Sequence, residues 1–191
     1  MAGGIMKQAI LVPGIGYTAD RPLLYYSKKL ARNAGYQIKV IRYSGFPAKR
    51  PGEEAYMEQV YDLACRQLEE QLADLTFSSQ DDILFLSKSI GTAAAAWIQK
   101  KTGLNARNVY FTPVAQTFRT IRSASGIAFH GTADPWTAGF DVEAACRKAG
   151  IPCFIYPDAN HSLETGDLKT DLNALADILD HCAEYLTPSG H

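Results

Sequence analysis

Four short segments of this 191-residue chain carry side chains able to act on one another: Ser87-Lys88-Ser89-Ile90-Gly91, His130-Gly131-Thr132-Ala133-Asp134-Pro135-Trp136, Asn160-His161-Ser162-Leu163-Glu164 and Pro13-Gly14-Ile15-Gly16-Tyr17. A serine hydroxyl becomes a nucleophile when an imidazole takes its proton, and a carboxylate holds that imidazole in the useful tautomer. The chain offers the three groups in the order Ser, Asp, His. Two serines compete for the first role. A nucleophile on a tight strand-to-helix turn tolerates only small residues two positions before and after it. Ser89 has Ser87 and Gly91 there, whereas Ser87 has Phe85 and Ser89, and a phenylalanine would clash. Ser89 is therefore the candidate. At the start of the following helix it also meets free N–H groups and a dipole that favour developing negative charge. A serine at that position also serves as an ordinary helix cap.

Asp134 is the acid immediately past an apolar run, while its rivals have structural uses. Asp20 reads as a helix cap, Asp141 as a helix-surface acid, and Asp158 as a residue that shapes its turn by an Asx bond. Of the four histidines, His130 ends a strand and serves the turn or the core, His181 lies in the last helix and His191 ends the chain. His161 stands in the loop after the last strand.

These residues need a scaffold that brings strand ends together. Six β-branched or aromatic runs recur: Gln8 to Val12, Gln37 to Tyr43, Ile83 to Leu86, Val109 to Phe111, Ile127 to Phe129 and Cys153 to Tyr156. Most are continuously apolar, as in strands buried on both faces of a parallel sheet. Helices fill the gaps. Asp20 and Pro22 open the first, which Gly35 closes; Pro51, Glu53 and Glu54 open the second, with Met57, Val60, Ala64, Leu68, Leu72 and Leu75 on one face. The third runs from about Gly91 to Lys101, stops at Gly103, and its run Ala93 to Ala96 lets the axis approach a sheet closely. The last runs from about Leu168 to Leu186 with Leu168, Leu172, Leu175, Leu179 and Cys182 aligned. Alternating strands and helices predict an α/β three-layer sandwich with a mostly parallel, about six-stranded sheet. Ligands collect beyond the carboxyl ends of such strands, where all four segments fall.

Composition bounds the function. Nineteen basic residues against twenty acidic give a net charge of -1, with no electrostatic footprint for nucleic acid or anionic lipid. No apolar run approaches a membrane span. Cys65, Cys146, Cys153 and Cys182 are scattered with no C-x-x-C pair, so no metal site is expected. Pro13-Gly14-Ile15-Gly16 continues as Tyr17-Thr18 with no third glycine in register, which argues against a nucleotide or flavin cradle and for no cofactor. The N-terminus lacks a charged region followed by an apolar one, so a cytoplasmic location is expected. No repeat or linker divides residues 1–191, and a single domain is expected; the doubtful connection is Ser44 to Gly52.

On the segments SKSIG, HGTADPW, NHSLE and PGIGY the chain resembles the α/β-hydrolases, in particular small lidless serine hydrolases. The resemblance implies Ser89 as nucleophile, His161 as general base and acid, and Asp134 as the orienting carboxylate. It implies an oxyanion hole from the N–H of Ile90 and one from the first-strand loop, most simply Ile15, with Gly16 or Tyr17 as alternatives. Ser87 replaces the usual elbow glycine and Pro13 replaces a common histidine. The usual fold has eight strands, and this chain is too short for the first two. About 14 residues separate the fourth and fifth runs, too few for a lid domain. The nucleophile is not the cysteine of dienelactone hydrolases. Gly16, Tyr17 and Trp136 are expected to bind substrate, with Phe46 and Phe118 also at the rim. The function implied is hydrolysis of a small, uncharged ester or thioester by a monomer or homodimer; the alternative is a hydrolase-like scaffold that binds a partner with little turnover.

Overall fold

A computed structural model describes residues 5–48 and 53–187. Six strands, β1 (Lys7–Val12), β2 (Gln37–Val40), β3 (Asp82–Lys88), β4 (Arg107–Phe111), β5 (Gly126–Gly131) and β6 (Cys153–Tyr156), form one parallel sheet in the order β2-β1-β3-β4-β5-β6. Five helices accompany them, four between strands and the last after β6: α1 (Pro22–Asn33), α2 (Glu54–Leu72), α3 (Ile90–Thr102), α4 (Val142–Lys148) and α5 (Leu168–Leu186). The chain leaves β1 toward one edge and returns through β3 toward the other, so the strand order reverses beside β1.

Alternation along the strands sorts the core into two layers. Ala9, Leu11, Leu84, Leu86, Val109 and Phe111 face α1 and α5, where Leu23, Leu24, Ile178 and Cys182 cover them. Ile10, Val12, Ile83 and Phe85 face α2 and α3, covered by Val60, Ala64, Leu68 and the buried alanines Ala93, Ala94 and Ala95. The small residues of α3 let its axis lie close to the central strands. Tyr110 and Ala128 continue that second face onto α4 through Val142 and Cys146. No helix among the described residues is long and apolar enough to cross a membrane.

Several local expectations are revised. The second strand, expected to reach Tyr43, ends at Val40. Beyond it, Arg42 exchanges backbone hydrogen bonds with the Gln71 side chain at 2.9 Å, and Ser44 does so with Gln67 at 2.9 and 2.8 Å. Two glutamines one turn apart on α2 thus take the place of a strand neighbour. Asp20 does not cap α1, whose N-cap is Arg21; Asp20 instead lies 3.5 Å from the Lys28 ammonium. Asp141 does cap a helix, accepting from the Ala144 N–H at 2.8 Å. On α5 the expected apolar face begins late, because Leu168 and Leu172 are exposed while Ile178, Cys182 and Leu186 are buried. Pro51, expected to help open α2, lies outside the described residues, as does the end of the 44–52 connection.

Candidate active site

The site grows from three strand ends. Between β3 and α3, Ser89 adopts φ 56° and ψ −128°, a conformation that costs a non-glycine residue about 1–3 kcal/mol. The surroundings hold it there. Its N–H donates to the Phe111 carbonyl at 3.0 Å, and its own carbonyl accepts from Thr92 N–H at 2.8 Å and Thr92 Oγ1 at 2.6 Å. Thr92 Oγ1 also bonds Thr117 Oγ1, fastening the turn to the 3-10 helix Ala115–Arg119. Ser87 occupies the usual glycine position without strain on its hydroxyl, which donates to Val109 O at 3.3 Å.

Two glycines make this turn possible. A Cβ on Gly91 would sit 2.3 Å from the Val12 carbonyl oxygen and 2.5 Å from that of Pro13, so only glycine lets α3 start against β1. A Cβ on Gly14 would reach 3.0 Å from the Ser89 Cβ, so the first-strand loop crosses directly over the serine.

His161 and Asp134 arrive from the opposite side. His161 Nε2 lies 2.7 Å from Ser89 Oγ, and its Nδ1 lies 2.7 Å from Asp134 Oδ2. The other oxygen of Asp134 accepts the Trp136 N–H at 2.9 Å, which fixes the carboxylate plane. The β5 and β6 loops are stitched together by Ala133 N–H to Ala159 O at 3.0 Å and Thr132 N–H to Tyr156 O at 3.0 Å. A Cβ on Gly131 would meet Ala159 O at 2.3 Å, so glycine is required at this crossing too. Burial alone would raise the Asp134 pKa. The His161 hydrogen bond and charge, the Trp136 amide and the Lys88 ammonium outweigh it and hold the carboxyl below its ordinary value. The turn that presents His161 is shaped differently from expectation. Asp158 sits at φ 57°, and Asn160 makes the Asx bonds, accepting Ser162 N–H at 2.7 Å.

The structure gathers some of the other expected residues and disperses others. Ile90 opens α3, where the first amides have no partner inside the helix. Ile15 and Gly16 lie on the crossing loop, but Tyr17 N–H is committed to Gly14 O at 3.3 Å, which leaves the first two as donors from that loop. The Tyr17 side chain is buried, and its hydroxyl accepts Leu23 N–H at 3.1 Å. Trp136 is half-buried with its ring centre 5.7 Å from that of His161, and it packs on Tyr56 of α2. Phe46 stacks edge-on with Tyr43 and lines a 420 Å³ cavity shared with Ile15 and Gly16. Phe118 lies away from the site, against Phe140 in the α4 layer. His130 is part-buried in β5, where burial pushes its pKa below the ordinary histidine value. His181 stacks on Phe154 at 3.8 Å.

Gly14, Gly131, Tyr56 and Lys88 were not singled out from the sequence as parts of this site. The readable signal for Lys88 was a charge on the buried face of a strand, in register with Leu84 and Leu86. Among the described residues, no group of three His, Cys, Asp or Glu side chains is placed to hold a metal ion.

No family model and no curated protein matches the chain. Solved structures do. An α/β serine hydrolase homologue from Coxiella burnetii aligns at TM-score 0.57 and 16% identity, over 96% of this chain and 88% of its own. A lidless α/β serine hydrolase from Xanthomonas campestris aligns at 0.54 and 11%, over 98% and 87%. A dienelactone hydrolase from Anabaena variabilis aligns at 0.63 and 15%, over 96% and 86%. At these identities the likeness is one of fold: the chain has the α/β-hydrolase fold in a minimal, six-stranded form.

Proposed function

We propose that this α/β-hydrolase-fold chain is a serine hydrolase acting on small carboxylic esters or thioesters, through an acyl-enzyme on Ser89. The observation that carries the reading is the continuous relay from Ser89 Oγ through the His161 ring to Asp134, with 2.7 Å at each junction and the serine on a strained turn. His161 Nε2 takes the hydroxyl proton as Ser89 Oγ attacks the carbonyl carbon. The oxyanion is held by the Ile90 N–H and one from Ile15 or Gly16, each worth roughly 3 kcal/mol at comparable sites. The protonated imidazole then gives its proton to the leaving oxygen or sulfur, leaving the acyl group on Ser89. Water deprotonated by His161 attacks that ester, the imidazolium returns the proton to Ser89 Oγ as the acyl–oxygen bond breaks, and the acid is released. Asp134 keeps the Nδ1 proton in place throughout.

In this reading the chain is one unit with no lid. The connection from Thr112 to Ser125, a common place for an inserted cap, contains only the 3-10 helix Ala115–Arg119. The carbonyl would enter past Trp136 and the Ile15–Gly16 loop. The test is turnover of p-nitrophenyl esters of increasing acyl length by the wild-type chain and by Ser89→Ala. Loss of all turnover above background in the variant, with a preference for short chains, is expected. Absence of turnover in the wild-type chain across ester and thioester series would favour a binding scaffold instead.

A further inference from the structure

Lys88 precedes Ser89 directly, and its side chain is fully buried. Burying an ammonium is costly unless other groups replace its water. Three elements supply them. Thr112, just past β4, accepts from Lys88 Nζ at 2.6 Å and is itself held at φ 44° by donating its N–H to Phe129 O at 2.8 Å. Tyr17, from the loop after β1, places its ring face 5.0 Å from the ammonium, a cation–π contact. Asp134, after β5, lies within the field of the Lys88 charge. Leu84 and Leu86 occupy the preceding positions on this face of β3, and packing alone would be served by a third apolar residue.

We propose that Lys88 is a positioning residue for the same site: its buried positive charge holds Asp134 as a carboxylate and opposes protonation of His161, so the imidazole stays able to accept the Ser89 proton at lower pH. This rests on reading Ser89, His161 and Asp134 as the working groups. Tyr17 and His130, beside the pair, do not supply this field. Burial pushes the Tyr17 phenol up to about 12, so it is neutral, and burial keeps His130 neutral at pH 7. Glu164 and Arg21 act on Tyr17 with opposite signs. Lys88 therefore adds a positive charge beneath a relay whose nearest charge, the Asp134 carboxylate 2.7 Å from His161 Nδ1, is negative.

The experiment is an NMR titration of the His161 ring, assigned by its loss in His161→Gln, in wild type, Lys88→Met and Lys88→Met/Thr112→Val. The double variant removes both polar partners and leaves no orphaned hydroxyl, so it guards against misfolding of the single one. The His161 midpoint should rise by about one pH unit in both variants, the scale of one lost neighbouring charge. The acid limb of ester hydrolysis should rise with it. A midpoint that stays put or falls in folded variants would overturn the proposal. A midpoint that rises in a chain without serine-dependent turnover would sustain the Lys88 assignment while defeating the proposed function.

Discussion

The two ends of the β-sheet combine volume and chemistry in opposite ways. At the amino ends of β3 and β4 lies a cavity of about 650 Å³, lined by Leu72, Leu75, Phe77, Ile98 and Leu104 among others. Its neighbour Gly103 closes α3 at φ 70° with no atom within 4 Å of where a Cβ would be. At the carboxyl ends a cavity lined by Gly14, Ile15 and Gly16 of the first-strand loop and by Phe46 is smaller, about 420 Å³. Yet at this end Ser89 and Thr112 sit at positive φ, and the buried Lys88 and Asp134 side chains converge with the part-buried His161 ring. Volume is therefore a poor guide to the chemistry of this fold. Converging polar groups mark the proposed working end; positive φ alone does not, since Ala124 at the amino end of β5 also has φ 53°.

Substitutions at the two ends should separate sharply. Asp134→Asn should lower ester turnover by about 10⁴, because the imidazole then loses its fixed tautomer. Near-wild-type rates in steady-state kinetics would remove Asp134 from the relay. Gly91→Ala drives a methyl into the carbonyl oxygens of Val12, at the end of β1, and Pro13. It should cost about 3 kcal/mol of stability, a Tm drop on the order of 10 °C, and about 100-fold in turnover through a displaced elbow. Gly103→Ala at the other end carries only the left-handed backbone penalty of about 1 kcal/mol, and its turnover should match wild type.

Acid should separate activity from stability. The Asp134 carboxyl is held below its ordinary value chiefly by His161, against the opposing effect of burial. Its contribution to stability is therefore present above the unfolded carboxylate value of about 3.9, and is lost only as pH falls through its lower folded value. Turnover should fail earlier, declining about tenfold per pH unit below the histidine range while circular dichroism still reports a folded chain. Unfolding and inactivation that coincide on acidification would contradict this. The smallest effect belongs to the large cavity. Ser79→Trp at its exposed margin should leave turnover within about twofold, since it lies at the end remote from Ser89.

Much of this arrangement could be read from residue types. The runs, most of them continuously apolar, announce six strands, of which the four central ones are buried and the edge strands β2 and β6 only partly so. The small-residue requirement around Ser89 favours it over Ser87. What escaped the sequence was contact between distant segments. Nothing in Gln67 and Gln71 says that they replace a strand neighbour for Arg42 and Ser44. The leucine repeat of α5 starts at Leu168, but periodicity cannot tell where the sheet beneath stops offering cover. The close approach at Gly14 and the need for glycine at 131 are set by Ser89 Cβ and Ala159 O, which lie 75 and 28 positions away along the chain. Tyr17 looked like a rim residue and is buried under Lys88, a placement that depends on where α1 begins.

The central claim is that Ser89 is the activated nucleophile. Its most direct test is reaction of the wild-type chain and Ser89→Ala with a fluorophosphonate, followed by mass spectrometry of the peptides. The account predicts one phosphonate adduct, on Ser89, and none in the variant. No adduct on the wild-type chain, or an adduct that persists in Ser89→Ala, would contradict it.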